Sequence, residues 1–182
     1  MHVSGKILVF STFAIGLAMA AGAWWYNYQQ SYRTAEFWGR DAGLLVGASE
    51  VALLEFGDAQ AEGSPARQVV REVKLTDKPG LVHLRYALVY DADFAWDERR
   101  QQTLDAGDWP YALRFTKGDR QALVLFSRAF DRLGRMTTDA AGGEGEIEVL
   151  PCPRLGPAVV EYLGKVGVKL GDQPDIAAPP PR

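Results

Sequence analysis

The sequence predicts an α+β protein, with one long apolar N-terminal helix followed by a mostly antiparallel sheet domain carrying a few helices. Three observations predict it. No charged residue stands between Lys6 and Arg33. Short alternating segments group around one hairpin signal at Tyr111–Ser127, and helical periodicities recur at intervals too irregular for parallel crossover connections. The implied organisation is a short head at 1–6, a transmembrane helix at 7–27, a helical juxtamembrane stalk at 28–47, an α+β domain at 48–170 and a proline-rich extended tail at 171–182.

The strongly apolar run Ile7–Tyr26 contains 20 residues, which at about 1.5 Å of rise per residue matches a hydrocarbon core about 30 Å thick. A signal peptide has a shorter apolar stretch and a small-x-small cleavage end, for which Ala18-Met19-Ala20 and Ala21-Gly22-Ala23 are candidates. Two features favour a retained anchor. Trp24, Trp25, Tyr26, Tyr28 and Tyr32 cluster where the helix would leave the lipid, and amphipathic rings partition to headgroup depth. Ala14, Ala18 and Gly22 recur at every fourth position, with Gly16 and Ala20 as a second small pair, and this spacing allows close approach of a neighbouring helix. The same residues are also read as the ordinary small-residue content of membrane helices. Positive charge does not settle orientation, because Lys6 and the terminal amine face Arg33 and Arg40. A short head retained inside, with the domain exported, is the expected arrangement in a cytoplasmic membrane.

Beyond the aromatic belt, Tyr28, Tyr32 and Ala35 keep the helical interval, so the helix is expected to continue through Trp38 toward Leu45, weakened by Gly39, Gly43 and Gly47. EVALLEF at Glu50–Phe56 reads as a strand, GDAQAEGSPA as a loop, and QVVREVKL at Gln68–Leu75 as a second strand. After the turn TDKPG, Leu81, Leu84 and Leu88 with Ala87 define the apolar face of a helix ending near Tyr90. DADFAWDERR and QQTLDAGDWP read as one extended loop. YALRFT and QALVLFS, joined by KGD, form the hairpin, and Phe130–Met136 extends the meander. AAGGEGE reads as a loop and Glu146–Leu150 as a closing strand. Pro157 opens a last helix running to Val166, since its missing N–H costs nothing in a first turn.

The net charge of −3, with 47% hydrophobic and 11% aromatic residues, fits a globular domain and gives no basic excess for nucleic acid. Charge is unevenly distributed. Asp41–Glu62 holds five acids and no base, whereas Tyr111–Arg135 holds six bases and two acids. Either the domain has an acidic and a basic side, or the fold scatters both signs.

One cysteine, Cys152, excludes an internal disulfide and, with no C-x-x-C-H, covalent haem attachment. His2, His83 and Cys152 are too few for a zinc or iron–sulfur cluster. GGEG at Gly142–Gly145 lacks the lysine and the following helix of a phosphate loop. His83 has no nucleophile-elbow partner and reads as a helix-surface histidine. Cys152 reads as a small buried residue between prolines rather than an activated thiol. The acids Asp91, Asp93, Asp97 and Glu98 depart from a calcium loop at Ala95 and Trp96. This segment instead reads as an acidic loop pinned by Phe94 and Trp96, either on the domain or on a partner.

No catalytic, cofactor-binding or metal-ligating residue is therefore assigned, and no cofactor is expected. The expectation is a non-catalytic, single-pass accessory subunit whose partners are membrane protein subunits and the bilayer. The analogy is to helpers of respiratory or photosynthetic energy-transducing complexes. The rival readings are a tethered extracytoplasmic binding or sensing module, and a tethered hydrolase.

Overall fold

The computed structural model describes residues 5–57, 68–103, 108–136 and 146–171. Helix α1 (Gly5–Trp38) runs for 34 residues and ends at Gly39, whose φ of +51° no side-chain-bearing residue adopts cheaply. A short 3₁₀ turn (Gly39–Asp41) leads into α2 (Ala42–Gly47). The expected continuation to Leu45 as a single stalk is therefore replaced by a corner. The break lies at the left-handed Gly39, and the residues on both sides of it, Thr34, Phe37, Trp38, Leu44 and Leu45, are all buried. The part of the expected stalk beyond Ser31 thus belongs to the domain.

The sheet has seven antiparallel strands, β1 (Glu50–Phe56), β2 (Val69–Lys74), β3 (Arg100–Thr103), β4 (Tyr111–Lys117), β5 (Arg120–Phe126), β6 (Arg132–Met136) and β7 (Glu146–Pro151), in the order β2-β1-β4-β5-β6-β7-β3. The hairpin expected at Tyr111–Ser127 pairs Tyr111 with Phe126 and Lys117 with Arg120. Strand β3 interrupts what reads as one extended loop in the sequence. RQQT has no apolar alternation because an edge strand needs only its ladder, here Arg100–Thr103 against Glu146–Val149. Residues 140–145 of AAGGEGE and the tail from Asp172 lie outside the described residues.

Alternation along the strands builds two apolar faces. Val51, Leu53, Leu113, Phe115, Val124 and Phe126 point to the larger core, which is closed by the end of α1, α2, α3 (Leu81–Ala87) and α4 (Leu155–Lys165). Leu54, Ala112, Leu125, Ile147 and Val149 face the other way around Trp109. The periodic set expected for α3 is buried as its spacing requires, with Leu81, Leu84 and Leu88 all inside. Gly156 opens α4 against the turn carrying Phe130, where a Cβ would come within 1.8 Å of the Phe130 carbonyl oxygen. Only glycine permits that approach.

The two charge blocks do not form opposite sides. Strands β1 and β4 are neighbours, and Arg120 reaches Asp41 at 3.7 Å while Arg114 pairs with Glu72 and Arg71 with Glu55. Such exposed pairs contribute little to stability, but they disperse the asymmetry of the sequence.

Candidate functional site

Among the described residues, the apolar part of α1 from Val9 onward is exposed along its length. Phe10 is 74% exposed and Met19 70%, and a Cβ placed on Gly16 or Gly22 meets nothing within 4 Å. Among the described residues, one helix is long and apolar enough to cross a membrane. Ala14, Gly16, Ala18, Ala20 and Gly22 all lie on this free-standing portion. In the belt, Trp24 stacks on Tyr28 at 5.7 Å and Tyr28 leans on Tyr32 at 5.5 Å, so the aromatics form a ladder up one side of the helix.

The junction between this rod and the domain is the most organised polar site in the molecule. The carboxylate of Asp91 accepts from the backbone N–H of Arg33 at 2.9 Å and that of Thr34 at 2.8 Å. An uninterrupted α-helix directs those two N–H groups at carbonyls four residues back. Here both also reach a side chain, from a 3₁₀ turn (Asp91–Asp93) fifty-seven and fifty-eight positions away. Asp91 therefore acts on the last turns of α1 as an N-cap acts on a helix start. The Thr34 hydroxyl has three acceptors in reach: Val89 O at 2.7 Å, Asp91 Oδ1 at 2.8 Å and Ser31 O at 3.0 Å. It donates its single proton to one at a time.

One turn later Trp38 donates its indole N–H to the Leu88 carbonyl at 2.8 Å. Phe37, fully buried, meets Trp96 edge-on, while the guanidinium carbons of Arg99 and Arg135 lie 5.5 and 5.8 Å from its ring centre. Cation–π contact and burial together fix the helix end.

The acidic loop thus has a structural task that sequence spacing did not reveal. Both oxygens of Asp91 are committed to helix N–H groups, so the cation reading of 91–98 loses its first ligand. Phe94 is buried in the core and packs on Trp96 at 5.6 Å, and the Trp96 indole N–H donates to the Asp91 carbonyl at 2.8 Å. Both rings pack on the domain, Phe94 at 7% exposure and Trp96 partly exposed. Asp93 is half-buried. Burial raises its carboxyl above the ordinary 3.8, opposed by the nearby Arg154 guanidinium.

His83 is exposed on α3 at the rim of a hollow of about 420 Å³ shared with Glu161, Tyr162 and Lys165. Lys165 binds Glu161 at 2.6 Å and lowers its carboxyl, while burial raises the Tyr162 phenol. Neither neighbour is set up as a nucleophile toward the imidazole. Cys152 is fully buried with its thiol 3.4 Å from the Phe130 carbonyl oxygen, and burial, then the Asp131 charge, push it up to about 12. A thiol in that state is not a nucleophile near neutrality. Among the described residues no group of three or more His, Cys, Asp and Glu side chains is gathered around a common point.

Comparison with protein-family models, with curated proteins and with solved structures finds no match to this chain.

Proposed function

We propose that the protein is a single-pass membrane subunit without catalytic activity of its own, which packs its N-terminal helix against other membrane helices and braces their extracytoplasmic face with its α+β domain. One observation carries the reading. The helix whose apolar length is exposed among the described residues is, at its other end, built into the domain core by Asp91, Thr34, Phe37 and Trp38. A tether for a binding module needs no such junction. A subunit that must hold a domain at a set angle to a membrane partner does.

The partners in this reading are membrane protein subunits and surrounding lipid. The surface they use is the stripe Ala14, Ala18 and Gly22, with Gly16 and Ala20 beside it. Because Gly22 has open space around it within this chain, Ala18→Leu with Gly22→Leu creates no internal clash. Loss of association in that variant therefore reports on a partner. The test is purification from native membranes in mild detergent, followed by mass spectrometry of the intact assembly. Fixed-stoichiometry company that the double substitution removes supports the proposal. A monomer indifferent to the substitution refutes it. A reporter active only outside the cytoplasmic membrane, fused after Arg182, tests the orientation, and an inactive reporter reverses it.

A further inference from the structure

A cavity of about 340 Å³ opens where α1 meets the domain, lined by Asn27, Gln30 and Ser31 from the helix and by Tyr86, Tyr90 and Asp93 from α3 and the turn after it. Its volume falls within the range of small-ligand sites, about 300–1,000 Å³. Resting on the membrane reading above, its depth follows from the helix. If the hydrocarbon ends at Tyr26, Asn27 to Ser31 lie about 1.5 to 7.5 Å beyond it at the α-helical rise. The headgroup layer on each side of a bilayer is about 5–8 Å thick. The cavity therefore opens at headgroup depth, beside the aromatic ladder of α1.

Its chemistry is one-sided. The lining supplies two phenol rings, two side-chain amides, a hydroxyl and a carboxylate, and no cationic side chain. Tyr86 and Tyr90 are 59% and 42% exposed, so both rings are open to a molecule in the cavity. Aromatic faces with a carboxylate select an ammonium group. Amide and hydroxyl oxygens add acceptors that a primary ammonium, with its N–H donors, uses and a quaternary one does not. Immediately outside the lining, Arg154 acts on Asp93 and donates to the Ala92 carbonyl at 3.3 Å. Carboxylate and guanidinium side by side match a group bearing ammonium and phosphate in series.

We infer that this cavity binds the headgroup of a zwitterionic phospholipid with a primary ammonium, a phosphatidylethanolamine, with Tyr86, Tyr90 and Asp93 taking the ammonium and Arg154 the phosphate. The headgroup seats the domain on the membrane surface at the point where Asp91 fixes the helix.

The test uses the full chain in nanodiscs made from an equimolar mixture of phosphatidylethanolamine, phosphatidylcholine and phosphatidylglycerol. Lipid retained after detergent stripping is then read by native mass spectrometry. The expected result is about tenfold enrichment of phosphatidylethanolamine, abolished by Tyr86→Ala with Tyr90→Ala and by Asp93→Asn. Tyr86→Phe with Tyr90→Phe keeps both rings and is expected to keep most of the enrichment. These side chains are partly or largely exposed, so the variants fold, and near-ultraviolet circular dichroism verifies it. Equal retention of the three lipids, or enrichment unchanged by the alanine pair, overturns the inference while leaving the anchor intact. Displacement of the bound lipid by soluble phosphoethanolamine at equal concentration overturns the assignment to a lipid in favour of a free metabolite. A chain that fails to enter nanodiscs of any composition overturns the membrane reading on which the inference rests.

Discussion

Replacing Asp91 by alanine is expected to loosen the rod from the domain. The carboxylate accepts two backbone N–H bonds at 2.8–2.9 Å and has the Thr34 hydroxyl at 2.8 Å. Loss of an N-cap carboxylate costs about 0.5–2 kcal/mol, and a hydrogen bond to a charged group contributes about 1.5–3 kcal/mol when buried. The site is only part-buried, and one carboxylate serves all three donors, so the contributions do not add in full. About 2–3 kcal/mol is the expected loss for Asp91→Ala. Asp91→Asn keeps one acceptor oxygen and is expected to lose about 1 kcal/mol, since asparagine caps nearly as well as aspartate. Thr34→Val removes the hydroxyl with little change of shape, and in a double-mutant cycle with Asp91→Ala a coupling of about 0.5–3 kcal/mol is expected. Urea unfolding of the full chain in mild detergent, followed by tryptophan fluorescence, gives the free energies. Amide hydrogen exchange over 31–38 locates the change. A loss within about 0.5 kcal/mol, the range of an inert surface substitution, together with unaltered exchange at the Arg33 and Thr34 amides, would refute the clamp.

Two further predictions concern protonation. For Asp93 the folded-state pKa lies above the ordinary 3.8 because of burial. Between the two values the folded state binds more protons than the unfolded one, so ionising Asp93 lowers stability as pH rises through that window. Asp93→Asn is therefore expected to be more stable than the parent at neutral pH and equal to it below about 3.8, as read by thermal unfolding against pH in lipid-free detergent; a neutral-pH loss would contradict the assigned environment. For Cys152, with its thiol pushed up to about 12, maleimide or disulfide reagents at pH 7–8 are expected to leave the folded chain unmodified and to label it once urea unfolds it. Rapid labelling of the native chain would show that the thiol is neither buried nor protonated.

Local chemistry made some elements readable in the sequence, and long-range contact hid others. YALRFT-KGD-RQALVLF carries its hairpin in alternation and a turn with Gly118 at positive φ, so nothing distant was needed to see it. Leu81, Leu84 and Leu88 announced their helix face for the same reason. β3 was invisible because RQQT joins the sheet through backbone groups alone, and backbone groups leave no pattern in side chains. The clamp was invisible for a different reason. Asp91 resembled one acid among four in a loop, and only the fold brings it to Arg33 and Thr34. The signal that could have hinted at it was the Ser31 to Thr34 stretch inside α1, since hydroxyl residues compete for backbone bonds and mark places where a helix ladder is interrupted.

That clamp determines what the helix can transmit. A free linker between an apolar helix and a domain makes their attachment to a complex two events, the second governed by the effective concentration the linker allows. Here Phe37 and Trp38 are part of the core, Trp38 is bonded to Leu88, and Asp91 holds the turn before them. Rotation of the rod about its axis must turn the ring of Phe37 against Trp96 and the two guanidinium groups of Arg99 and Arg135. The cost of ordering the junction is met once, during folding, and is absent from any later association. In the proposed reading, a partner helix gripping the small-residue stripe would therefore set the position of the sheet as well, and bring the face carrying Tyr86 and Tyr90 to the membrane surface in the same step. If the clamp is cut by Asp91→Ala, the two surfaces should separate in their behaviour, so that helix association survives while headgroup selection fades.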